Sequence, residues 1–250
     1  MDLQRFEIIR EVMAMMAYHH CLGIDDYPRE AGVAQLLERK TELPAKREMV
    51  VQQRKETMVA AETLEDIGAE IHDCRNCELH ASRVVPVAGR GGLQARLLIV
   101  GGWLTAPDPP EIPAGRVFGR EADLMVTRML AAIHLAPGEV FVTNILKCGL
   151  PGSCQPVAAN IQCCLGFLRR QITVIAPELI CTMGTIATRA LLDLPQSLSQ
   201  LRGRFHPYTA LDGREIPLMP TYHPSYLLQA EEMKKETWKD LQLIEKRLAG

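Results

Sequence analysis

The sequence predicts an α/β fold: a three-layer α/β/α arrangement around a central, mostly parallel sheet, with a helical extension at the N-terminus. Three observations predict it. From about residue 96 onward, short β-branched runs alternate with segments of helical periodicity, the pattern of strands joined by crossover helices. Residues 1–62 show helical periodicity and no strand pattern, so they form a separate extension ahead of a domain at 63–250. The Cys74-x-x-Cys77 pair lies where the two textures meet.

Each element follows from its residues. Phe6, Ile9, Val12, Met13 and Met16 recur at three- and four-residue spacing, one apolar face of a helix. Residues 28–40 suggest a second short helix, and the charged stretch 41–62 a linker or exposed helix. Thr63 followed by Asp66 forms a capping box for a helix ending near His72. Arg96–Val100 is a buried strand, and a Gly- and Pro-rich loop follows it. Glu121–His134 is a helix with Leu124, Met125, Met129, Leu130 and Ile133 toward the core. Val140–Asn144 is a strand, Ala158–Ile175 a helix, Leu179–Thr182 a strand, and Thr185–Leu192 a helix. Ile216–Thr221 is a strand whose two prolines place it at an edge or make it irregular. A last helix starts near Glu231. Ligands in such sheets bind outside the carboxyl ends of the strands, which singles out the loops at Gly101, at Asn144–Cys148 and at Tyr222–Ser225.

Composition excludes several classes. An apolar fraction of 47% and a charged fraction of 23% are those of a globular protein. No run approaches the ~20 apolar residues of a membrane span, and the N-terminus lacks a signal-peptide pattern, so a cytoplasmic monomer without a membrane partner is expected. The net charge of −2 is unevenly spread. Residues 1–73 hold nine Lys/Arg against fifteen Asp/Glu, and residues 74–250 nineteen against fifteen. The second part therefore permits contact with a polyanion.

Eight cysteines in a reducing compartment point to metal or redox chemistry rather than disulfides. Cys74 and Cys77 come from one tight turn, Cys148 follows a strand, and Cys164 lies sixteen positions later in a helix. Thiolates so placed suit zinc or an iron–sulfur cluster, and spacing does not choose between them.

The blocks LLIVG, GRVFG, VFVTNILKC, CLGFLRRQITVIAPELICTMG and TYHPSYLL, in this order, resemble the family 4 uracil-DNA glycosylases over about residues 70–248. The resemblance implies a DNA-repair hydrolase that flips a uracil, or another deaminated base, out of DNA and cuts its N-glycosidic bond. It implies a [4Fe–4S] cluster on Cys74, Cys77, Cys148 and Cys164; Cys163 competes for the fourth place, but Phe167-Leu168 aligns Cys164 with the family ligand. It also implies that Phe118 stacks on the base, that Asn144 pairs with its edge, and that His223 donates to uracil O2. Gly101 and Gly102 then line the base site, Ser225 contacts phosphate, and Leu227 wedges into the vacated gap. Lys147, Arg202 and Arg204 are expected to bind phosphate.

One block departs from the family, which carries Gly-Glu-[Ala/Gly]-Pro-Gly after the first strand. Here Gly102 replaces the glutamate thought to assist the water or the sugar cation. Three expectations follow. The enzyme works through leaving-group stabilisation alone, or Asp108 or Glu111 supplies the carboxylate, or the chain is a non-catalytic DNA-binding relative. A cluster-based redox protein would account for the cysteines but not for Phe118, Asn144 and His223 together.

Overall fold

The computed structural model describes residues 62–107, 112, 113 and 115–250; the expected helices over residues 1–61, and Asp108 and Glu111, lie outside the described residues. Four apolar runs form the centre of a six-stranded sheet: β3 (Leu97–Gly101), β5 (Val140–Asn144), β7 (Leu179–Met183) and β9 (Glu215–Thr221). They are parallel, in the spatial order β5-β3-β7-β9. Every residue of β3, β5 and β7 is buried, as expected of strands covered on both faces. Two antiparallel strands close the edges, β2 (Arg90–Gly91) on β5 and β8 (His206–Thr209) on β9. The mixed α/β architecture is the one the alternation predicts.

The helices that cover the sheet are α1 (Leu64–Asp73), α3 (Arg120–Ala132), α4 (Ala158–Ile175), α5 (Thr185–Leu192) and α8 (Lys234–Ala249); α2 (Leu79–Ser82), α6 (Leu198–Leu201) and α7 (Pro224–Leu227) are single turns. None of the described helices is long and apolar enough to cross a membrane. Helix α1 begins in the expected capping box. The Thr63 hydroxyl accepts from Asp66 N at 3.1 Å, and Asp66 accepts from Thr63 N at 2.9 Å. The Thr63 hydroxyl also donates to the Asp66 carboxylate at 2.7 Å, and this bond, helped by the Thr63 N–H, holds the Asp66 carboxyl below its ordinary pKa. Thr63→Ala removes this cap and is expected to cost about 1 kcal/mol, read as a lowered midpoint in urea unfolding.

Two expectations need correction. Strand β9 is interior, between β7 and β8. Pro217 is tolerated because it sits opposite Pro207, so that rung needs no N–H from either strand. Helix α3 buries Ala122, Asp123 and Val126, while Leu124 is 47% exposed. Met129, Leu130 and Ile133 pack on the core as expected, but Leu124 is turned out where Asp123 is drawn inward to hold the preceding loop. Leu124 and Met125 instead line an apolar groove of about 620 Å³ with Leu228 and Trp238.

A small sheet was also not foreseen: β1 (Val85–Pro86), β6 (Cys148–Pro151) and β4 (Leu104–Ala106), in the order β1-β6-β4. These strands are two to four residues long, too short to leave a periodic signal.

Candidate base-binding pocket and thiol site

All four parallel strands end at one rim, and the chain placed there forms a pocket of about 380 Å³. Its wall includes Gly102, Trp103, Phe118, Gly184, Ile186 and His223. Gly101 and Asn144 are register partners at the ends of β3 and β5. Asn144 is fully buried behind Phe118. Its Nδ2 donates to the Val117 carbonyl at 2.6 Å, whereas its Oδ1 is buried without a hydrogen-bond partner. A buried acceptor left open in this way costs stability unless something donates to it.

Gly101 is required by close approach. A Cβ there would lie 2.3 Å from Phe118 Cε1 and 2.6 Å from Asn144 Oδ1. Gly102 is not so constrained, because a Cβ would meet only Ile186, at 3.7 Å. The space for a side chain is present; the side chain is not. Among the described residues lining the pocket there is no carboxylate.

Phe118 is positioned by a residue the sequence reading passed over. The buried Asp123 carboxylate accepts from Val117 N and Phe118 N, each at 3.3 Å, and meets Arg90 at 3.3 Å and Arg116 at 3.8 Å. Its ring packs edge-on against His223, with centroids 5.3 Å apart. Polar residues at helix-surface spacing resemble solvated ones in a sequence, so Asp123 gave no signal.

His223 caps α7, and its Nδ1 accepts from Ser225 N at 3.2 Å. An accepting Nδ1 places the ring proton on Nε2, free to donate toward a ligand. Burial pushes the imidazole pKa down to about 4, so the ring is neutral at neutral pH. Gly184 backs it: φ is +92°, and a Cβ there would come 3.1 Å from His223 Cβ. The loop Gly184–Ile186 follows β7 and obeys the same carboxyl-end rule as the other three loops. It was missed because glycine and a helix start are unremarkable in a sequence.

The expected phosphate contacts are placed differently. Ser225 is exposed beside the pocket, and Arg204 is exposed with no ion-pair partner among the described residues. Arg202 is not a free cation: it pairs with Asp240 and Glu236 at 2.9 Å and lies over the Tyr222 ring. Lys147 is fully buried, so it does not reach a phosphate. Its Nζ donates to Asn144 O and Thr143 Oγ1 at 2.7 Å and to Gln171 Oε1 at 2.6 Å. Burial lowers its pKa to about 7, while the three acceptors use every N–H of the charged form. Leu227 is also fully buried and is not an exposed wedge; Tyr226, 45% exposed, is its accessible neighbour. Packing of α7 on α3 turns Leu227 inward.

The four expected cysteines converge. Cys74, Cys77, Cys148 and Cys164 line one small pocket, joined by Cys163 and His80. Cys148 and Cys164 are buried, and Lys147 N donates to Cys164 Sγ at 3.4 Å. Cys163 is exposed, which agrees with Cys164 as the inward thiol. Burial raises the Cys148 thiol to about 11 and raises Cys164 as well. Among the described residues no three His, Cys, Asp or Glu are spaced to hold a single metal ion. The four thiols around this pocket fit a multi-iron cluster, which is held by four thiolates. Trp103 packs against the apolar cluster that contains Cys148 and Cys164 and also lines the pocket at the strand rim.

The residues 88–242 match the family model of the uracil DNA glycosylase superfamily. The type-4 uracil-DNA glycosylase of Pyrobaculum aerophilum is 31% identical over 185 residues, covering 72% of this chain and 92% of that protein. The type-4 enzymes of Archaeoglobus fulgidus and Thermotoga maritima are each 30% identical, covering 73% and 72% of this chain and 92% of theirs. The chain thus belongs to the uracil DNA glycosylase superfamily. The relatives just named place it with the type-4 proteins of that superfamily.

Proposed function

We propose that this chain removes uracil from DNA by hydrolysing its N-glycosidic bond after the nucleotide leaves the helix. The observation that carries the reading is two complementary groups at the carboxyl ends of the strands, His223 lining the pocket and Asn144 buried outside that lining. These are the unpartnered buried acceptor Asn144 Oδ1 and the Nε2–H of neutral His223. Uracil offers N3–H to the first and O2 to the second. The remaining N–H of Asn144 Nδ2 is available for O4. Extrusion costs a few kcal/mol, which contacts with Phe118 and the pocket offset.

As the bond to the sugar breaks, negative charge moves onto the base. A neutral His223 donating to O2 stabilises charge that exists mainly in the transition state. Leaving-group stabilisation by His223 is the contribution that the described residues supply. The thiols Cys74, Cys77, Cys148 and Cys164 would hold a [4Fe–4S] cluster as a structural tie between the α1–α2 turn, β6 and α4. Cys164→Ser is expected to give a protein with less iron and several degrees lower Tm, checked by iron analysis and thermal unfolding. DNA contact falls to Ser225 and Arg204 at the exposed rim.

The test is incubation of anaerobically purified protein with an oligonucleotide containing one uracil, followed by alkali. Strand breaks at that position are the expected result. Binding without breaks would sink the reading and leave a non-catalytic DNA-binding protein.

A further inference from the structure

We infer that Lys147 is the positioning residue for Asn144, and that it ties the base pocket to the thiol site. The role deepens the proposed uracil chemistry and rests on it. A lysine with no exposed surface must spend all three N–H groups, and here each has an acceptor. One acceptor is the carbonyl of Asn144 itself; another is the hydroxyl of Thr143, the preceding residue on β5. The third is Gln171, on α4, whose Nε2 donates to Ala88 O at 2.7 Å. The strand end that carries Asn144 is thereby pinned to α4 and to the chain ahead of β2 by one side chain.

The backbone of the same residue faces the sulfurs. Lys147 N donates to Cys164 Sγ, and Cys148 is the next residue. One residue therefore contacts both ends of the molecule's chemistry: side chain to the base-edge strand, main chain to the thiol pocket. The Asn144 amide needs this support because its own anchoring is a single bond, Nδ2 to Val117 O, with Oδ1 held open for a ligand. An ångström of drift in such a group costs up to about a hundredfold in rate.

The experiment uses the full chain, purified anaerobically. Lys147→Met keeps the length of the side chain and removes its three donors. The expected result is kcat on the uracil oligonucleotide lowered on the order of thirty- to a hundredfold, with KM for DNA within threefold of wild type. An unchanged kcat overturns the assignment. If Lys147→Met does not fold, Thr143→Val and Gln171→Met each delete one acceptor and leave the lysine. Each is then expected to lower kcat several-fold at unchanged KM, and full kcat in both overturns the assignment. Should wild type release no uracil, the functional reading fails, and Lys147 is judged separately by ¹⁵N-asparagine labelling. The Asn144 side-chain amide resonances are expected to shift or broaden in Lys147→Met; unmoved resonances overturn the positioning role.

Discussion

His223→Ala lowers kcat for uracil release by about 10²–10³-fold, the loss found when one donor to a developing oxyanion is removed. The effect is concentrated in kcat because the donor meets full charge only as the base departs. Single-turnover kinetics on a uracil oligonucleotide measure it; a variant within threefold of wild type contradicts the role. The pH profile carries a second signature. With the folded-state pKa near 4, against an ordinary 6.5, His223 stays neutral through the acid side of neutrality. The kcat profile is therefore level down to about pH 5 and falls only as pH approaches 4, where protonation displaces the Ser225 N–H. Stability behaves differently. The unfolded chain takes up the proton first, so the contribution of this group is whole above pH 6.5 and is lost progressively between 6.5 and 4.

Gly101→Ala abolishes the pocket from within. The added methyl would stand 2.3 Å from the Phe118 ring and 2.6 Å from Asn144 Oδ1, and the latter belongs to the buried end of β5. Phe118 is the neighbour able to move, and moving it breaks its edge contact with His223. Uracil release is expected to fall by more than a hundredfold, with ~1–3 kcal/mol of stability lost to overpacking. Gly102→Ala is the control: its Cβ has room, so stability stays within ~0.5 kcal/mol of wild type by urea unfolding. Retention of full activity in Gly101→Ala would contradict the placement of Phe118 and Asn144 against that glycine.

Much of the framework was legible because burial on both faces writes continuous apolar runs. Val140–Asn144 and Ala158–Ile175 appear with the bounds that periodicity assigns. The four cysteines and the rim residues were legible through motif order. What stayed hidden was polar chemistry whose direction depends on tertiary packing. Lys147 beside a cysteine motif reads as a surface cation, yet the β5–α4 contact closes over it. Arg202 reads as free until α8 brings Asp240 and Glu236 to it. Leu227 is buried and Leu124 exposed, the reverse of what was expected, and on a helix a few tens of degrees suffice to exchange in for out.

The chain contains two tryptophans, and they stand in unlike surroundings. Trp238 is 40% exposed on α8, whereas Trp103 packs on the apolar cluster that contains Cys148 and Cys164 and lines the pocket at the strand rim. An indole so placed is an optical gauge. Iron held by Cys148 and Cys164 would quench that emission, and a base in the pocket that Trp103 lines would alter the same signal by a separate route. The fluorescence of Trp103, read against that of Trp238, would then report on both sites without a label.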